Sequence, residues 1–345
     1  MAGESTVRVG VLADPGIAAR LAHSVEDELP GLLRERIDGA HSFTVEVVSH
    51  AVPLSPEGEI DLREAATETA RDNEWDLTIV VTELPRRSGT RPLVVDAEPA
   101  LQAAIVSVPA LGVIRLRTRV RAAIVRAAAE LRMARIPSAP SEDTRVFRTS
   151  SRVLGRTRLV LGMIRINRPW RLVPSLSTAM AAAAAASAFG IFYSSIWEMA
   201  VSLSQLRLAF ISVLAITAMV AWLIVYNRVW ERSSAYRSKG QATLYNVVSV
   251  LSIGTGVALM YAALYVATVA ASLTVISEDF LGTTLGRPAQ FSDYLVLSWL
   301  SASLGTVAGA LGSSAEDDED IKRATFGHRE WERRKVRSET NEPEN

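Results

Sequence analysis

Acids and arginines that follow β-branched runs are where this sequence could do chemistry. Asp14 comes after the run at 7–12, and Thr82 and Glu83 come after the run at 77–81. In an open α/β sheet, ligands bind beyond the carboxyl ends of the strands, which is where these three residues would stand. Arg86, Arg87 and Arg91 lie in the next loop, and the six together could hold a small anionic ligand. Each has a plainer reading beside the functional one. Asp followed by Pro15 is the expected N-cap and first-turn pair of a helix, and the arginines suit an ordinary surface loop.

Motifs for catalysis are missing. The chain has no G-x-G-x-x-G or Walker loop to cradle a nucleotide phosphate, and no G-x-S-x-G elbow. His23, His41, His50 and His328 lack H-E-x-x-H or any other ligand spacing. Tyr236 and Lys239 stand three apart, not four as in short-chain dehydrogenases. With no cysteine, disulfides, thiolate catalysis and Cys-ligated zinc or iron–sulfur centres are excluded. No catalytic residue, metal ligand or cofactor is therefore assigned. The 37 basic and 37 acidic side chains cancel, so the chain as a whole is not built to condense on nucleic acid.

The elements that would position the strand-end residues read as a β-α-β-α-β order. Strands at 7–12, 43–48 and 77–81 alternate with helical patterns at 17–36 and 61–73, and the apolar run at 77–81 suits a buried parallel strand. Segments 92–95 and 104–108 are strand-like but too close for a crossover helix, which predicts a mixed sheet with a hairpin at one edge. A helix over 114–135 closes the domain. Leu116, Val120, Ile124 and Leu131 share one face, and seven arginines from Arg115 to Arg135 cover most of the rest.

From about 170 onward the composition changes. Residues 244–276 form a run of about 33 residues without a charge, roughly 50 Å of helix against a hydrocarbon core of about 30 Å. Four spans are legible, at 172–193, 206–226, 247–271 and 294–311. Arginines before the first span and between the second and third predict that both termini are cytoplasmic, in an inner membrane. Ahead of the first span, 136–171 reads as a Pro- and Ser-containing linker and then a basic interfacial segment. Arg152, Arg156, Arg158, Arg165, Arg168 and Trp170 are its candidates for lipid headgroups. Small residues recur every four positions, as Ser301, Gly305, Gly309 and Ser313, as Gly254, Ala258 and Ala262, and as Ser175, Ala179, Ala183 and Ser187. Such faces serve packing within one bundle or self-association into a homo-oligomer. No ionisable residue lies mid-span, which counts against a coupled transporter. Residues 314–345 read as a charged, mostly disordered tail.

The runs L-A-D-P-G at 12–16, W-D-L-T-I-V-V-T-E-L-P-R-R at 75–87 and N-R-P-W-R-L-V-P-S-L-S at 167–177 resemble an uncharacterised family of actinobacterial membrane proteins with four spans. The resemblance implies a cytoplasmic N-terminal α/β domain ahead of the spans. More loosely, T-E-L-P and the later V-S-V-P look like the sheet of archaeal metzincin-like proteins, without the zinc helix that would follow it.

The expected architecture is a three-layer α/β domain over 1–135, the linker and basic segment over 136–171, a transmembrane four-helix bundle over 172–313, and the tail. The expected function is a membrane protein whose cytoplasmic domain binds a small anionic ligand or a protein partner, in a sensor, regulatory or scaffold role. A membrane-tethered enzyme is the second reading and a channel or transporter the third. Lipid bilayer with anionic headgroups is the expected partner, and nucleic acid is not.

Overall fold

A computed structural model describes residues 6–315 apart from 38–40, 52–53, 55–59, 61, 65–69, 89–90, 134–145, 150–151, 228 and 231–238. The tail and most of the linker lie outside the described residues. The chain forms two compact units that meet in sequence between Ile166 and Asn167.

The first unit is built on a mixed seven-stranded sheet. Its strands are β1 (Thr6–Ala13), β2 (Ser42–Ser49), β3 (Leu77–Thr82), β4 (Arg87–Ser88), β5 (Arg91–Glu98), β6 (Ala103–Ser107) and β7 (Val146–Thr149). The order is β2-β1-β3-β6-β5-β4, with β7 also on β5. β2, β1, β3 and β6 run parallel, whereas β5 is antiparallel to β6. Every residue of β3 and β6 is buried, as strands covered on both faces require. The hairpin is therefore real, but it is not the outer edge, because β4 and β7 pair with the far side of β5. Val146–Thr149, which the sequence puts in the linker, belongs to the sheet.

The unit's helices are α1 (Ile17–His23), α2 (Leu29–Arg36), the short turns α3 (Leu62–Glu64), α4 (Ala70–Asp72) and α5 (Val108–Leu111), then α6 (Leu116–Met133) and α7 (Arg152–Asn167). The single helix expected over 17–36 is two. Pro30 has no N–H to give, and its ring would strike the carbonyl of Glu26 in a continuous helix, so a 3₁₀ turn at Glu26–Glu28 intervenes. Ala18, Ala22, Leu29, Leu33, Val120, Ile124 and Leu131 bury one face of the sheet, while Ile60, Leu62 and Leu84 pack on the other side with Leu12, Val80 and Ile105.

Trp75 lies across Gly10, and its indole N–H donates to Glu46 at 2.9 Å, Glu46 being the residue paired with Gly10 across the strands. A Cβ at position 10 would enter the indole ring, so Gly10→Ala should cost about 1–3 kcal/mol, read as a lower melting temperature. An unchanged melt would mean that Trp75 moves aside freely. Elsewhere, Glu28 accepts hydrogen bonds from Arg117 and Arg121 of α6. The Arg121 bond, opposed by desolvation and helped by the charge of Arg117, holds the Glu28 carboxyl below its ordinary range. A depressed carboxyl stabilises the fold above its unfolded value of about 4.3, and that contribution fades as pH falls through the folded value. The melting difference between wild type and Glu28→Gln should thus be present at neutral pH and close on acidification.

The second unit is helical: α8 (Leu172–Ser175), α9 (Ser177–Phe192), α10 (Ser194–Ser202), α11 (Gln205–Tyr226), α12 (Lys239–Val275), α13 (Glu278–Leu285) and α14 (Phe291–Gly312). Three helices, α11, α12 and α14, are long and apolar enough to cross a membrane. The count is four if the stretch Gly155–Ser175 and Ser177–Phe192, bent by 57°, is one broken span. The unbroken helix expected over 172–193 is interrupted at Leu176, leaving 16 residues in α9. Ser204 and Ser277 cap α11 and α13, and Gln290 with Asp293 forms a capping box on α14.

α14 touches α9, α11 and α12. Thr178 Oγ1 donates to the Gly312 carbonyl at 3.3 Å and Tyr226 Oη to that of Ser314 at 3.0 Å, so α9 begins where α11 and α14 end. At the opposite end α10 and α13 meet through an edge-to-face contact of Trp197 and Phe280, with centroids 5.5 Å apart. Neither helix lies within the spans legible in the sequence. Between the ends, Ser212 Oγ receives the Trp299 indole N–H at 2.6 Å and shares hydrogen bonds with Tyr261 and Ser303, tying α11, α12 and α14 together. Large apolar side chains such as Phe210, Leu214, Val225, Val266 and Leu311 point outward. A water-soluble surface rarely carries so much exposed apolar area.

Candidate functional site

The carboxyl ends of β1 and β3 lie side by side, and the chain leaves them in opposite directions along the sheet, β1 toward β2 and β3 toward β6. This is the switch point at which α/β sheets open a crevice. Asp14 and Glu83 both stand there, and both are turned to the protein itself.

Asp14 is 1% exposed. Its Oδ2 accepts the Thr82 hydroxyl at 2.5 Å and the Glu83 backbone N–H at 2.9 Å, while its own N–H donates to the Val81 carbonyl. The carboxylate therefore fastens the start of the β3–β4 loop to the end of β1. Glu83 reaches back in turn, its Oε1 accepting the N–H groups of Ile17 at 2.5 Å and Ala18 at 3.2 Å. Those are orphan donors of the first turn of α1. The expectation that Asp14 caps this helix is thus corrected. The helix begins three residues later, at Ile17, its N-cap is Gly16, and the carboxylate on its first turn comes from another strand. Gly16 sits at φ +125, and a Cβ there would stand 2.6 Å from Glu83 Oε1. A side chain at 16 would block the reach of Glu83 as well as strain the backbone.

The loop beyond is also tied down. Thr82 Oγ1 accepts the Leu84 N–H at 3.0 Å, Ser107 donates to the Leu84 carbonyl at 2.9 Å, and the Arg86 N–H reaches Ser107 Oγ at 3.3 Å. Arg86 places its guanidinium 2.7 Å from Asp96 of β5, in a pair whose side chains are 17% and 6% exposed. Burial of that kind makes the pair a fixed part of the sheet's end, since removing one partner would strand the other charge. Arg87 is half-buried and Arg91 exposed, both beside the β4–β5 turn.

The six residues named from sequence are therefore gathered at one end of the sheet, but they do not converge on a common point. Thr82, Asp14 and Glu83 form one chain of hydrogen bonds and Arg86 a separate pair. Gly16, Asp96 and Ser107 complete these contacts and went unread. Asp96 did carry a signal, because an acid within the apolar run L-V-V-D-A needs a buried partner. Among the described residues no three His, Asp or Glu side chains gather as a metal site.

Of the residues assigned to lipid headgroups, Arg156, Arg158 and Arg165 are exposed on α7 and Trp170 is 54% exposed. Arg168 takes a left-handed φ of +50, and Arg152 opens α7, its side chain lying outside the described residues. No family model, no curated protein and no solved structure matches this chain.

Proposed function

We propose that this chain is a multi-pass inner-membrane protein with four crossings and cytoplasmic termini, whose N-terminal α/β unit is a binding module for a protein partner or small anionic ligand and has no catalysis of its own. One observation carries the last part. Of the two acids best placed for chemistry, Asp14 gives its Oδ2 to a backbone N–H and a neighbouring hydroxyl and Glu83 its Oε1 to two backbone N–H groups, so the anion position at the start of α1 is filled by the protein's own carboxylate. The membrane part is supported by the three long apolar helices and by the outward apolar side chains. Gly254, Ala258 and Ala262, on the outward side of α12, are the small-residue face that remains for a second copy.

Topology is tested by reporter fusions at Gly240, near the start of α12, and at Gly286, in the turn after α13. They should report opposite compartments, and agreement between them would remove the four-crossing reading. The binding role is tested by thermal shift of the full-length protein in lipid nanodiscs against anionic metabolites. A ligand at 100 times its dissociation constant adds about 2.7 kcal/mol to the state that binds it. Chemical conversion of a shifting ligand, abolished in Asp14→Asn, would replace the binding module with a membrane-tethered enzyme.

A further inference from the structure

α7 packs on the α/β unit. Ile166 joins that unit's core, and Gly162 lies so close to the Pro109 carbonyl of α5 that no Cβ would fit. The aliphatic stem of Arg158 crosses Gly112, which ends α5 at φ +86. The flank of α7 beside α5 carries Arg158, Leu161 and Arg165 at helical spacing, all exposed, with Leu161 at 50%. The turn that follows Gly112 adds Ile114, 66% exposed, and the exposed Arg115. Two large aliphatic side chains thus stand in water among three arginines, on one contiguous surface of the first unit.

Along these two segments the sequence carries charge of one sign. No acid occurs from 108 to 129 or within α7. Three arginines in the first half of α6 are already engaged, Arg117 and Arg121 with Glu28 and Arg119 with the Leu111 carbonyl at 2.5 Å. Exposed aliphatic residues among unopposed arginines are the two signals that together hold a surface on an anionic bilayer, neither being enough alone. The chain also enters its apolar unit at Asn167, the last residue of α7.

We propose that the α5–α6 turn and this flank of α7 form a docking surface for an anionic bilayer, with Ile114 and Leu161 inserting among the acyl chains and Arg115, Arg158 and Arg165 contacting headgroup phosphates. This rests on the membrane reading above. It goes beyond it by assigning one face of the α/β unit to the lipid surface.

The absence of cysteine makes single-site labelling direct. The full-length protein carrying Ile114→Cys, Glu74→Cys or Phe210→Cys is labelled with a polarity-sensitive fluorophore and reconstituted in vesicles of zwitterionic lipid alone or with a third of anionic lipid. The label at 114 should shift to the blue and be quenched from within the lipid in anionic vesicles, and return toward water when salt shortens the Debye length to about 3 Å at 1 M. Glu74 precedes β3, at the other end of the strands, and its label should stay in water. Arg158→Gln and Arg165→Gln should each weaken docking about fivefold. A label at 114 that is equally water-exposed in both lipids overturns the docking surface and points those arginines at an acidic protein instead. The label at 210, on the outward side of α11, tests the membrane reading separately, since it should meet lipid whatever the headgroup charge. If it does not, that reading fails and the docking surface with it.

Discussion

Asp14→Ala should destabilise the α/β unit by about 2–4 kcal/mol. The substitution leaves the Thr82 hydroxyl and the Glu83 N–H without the oxygen that now accepts both, and an unsatisfied buried donor costs about 1–3 kcal/mol. Freed from its anchor, the β3–β4 loop would also loosen the hold of Glu83 on α1. Asp14→Asn is the informative contrast. A single oxygen of Asp14 takes both hydrogen bonds, and an amide carbonyl in the same place can do so too, with the weaker bonds of a neutral acceptor. The asparagine variant should therefore keep most of the stability that alanine loses. Thermal melts of the full-length protein, with hydrogen exchange at the Glu83 amide as the local probe, separate the two. Equal losses from Ala and Asn would show that the charge itself is needed, and no loss from either would mean that the crevice opens without cost.

That contrast also shows what the sequence could and could not disclose. The β-branched runs place β1, β2 and β3 to within a residue or two, because buried parallel strands are a composition signal carried by each segment alone. The hairpin of β5 and β6 was legible for a similar reason, the short distance between two strand-like segments. What covers β5 was not. β4 is two residues long and β7 four, and each is a strand only because β5 offers it an open edge. The same limit governs the site. Spacing puts Asp14 ahead of a helix, and a local rule then makes it a cap, whereas the carboxylate that fills the role is 66 residues away, brought there by the pairing of β1 with β3. Side-chain contacts across parallel strands have no sequence period to reveal them. In the apolar unit the balance is reversed. Length and hydropathy place α11 and α14 closely and disclose the existence of α12, which starts eight residues earlier than the span expected at 247–271, while the break at Leu176 and the short amphipathic helices α10 and α13 escape notice.

Gly305→Leu should damage the apolar unit severely. Gly305 faces α9 where a Cβ would fall on Ser187 Oγ and the Ala183 carbonyl, and Gly309, one turn on, would place its Cβ 2.9 Å from the Ala179 carbonyl and 3.0 Å from Ala183 Cβ. The small-residue faces predicted for the first and last spans are thus pressed together, backbone against side chain. Between helices that share an apolar solvent, close packing of this kind is a main source of association, since burial from water no longer favours it. Overpacking a filled contact costs about 1–3 kcal/mol and more where backbone cannot yield, so Gly305→Leu should exceed Gly309→Leu, and both should lower the melting temperature in detergent. Gly254→Leu is the matched control, because a Cβ there meets nothing within 4 Å. The same side chain added to α12 should leave the monomer's melt unchanged. A Gly305→Leu protein that melts like wild type would show that α9 and α14 do not approach as described. A Gly254→Leu protein with an intact melt but a smaller assembly by size-exclusion chromatography would assign the outward face of α12 to a second copy of the chain.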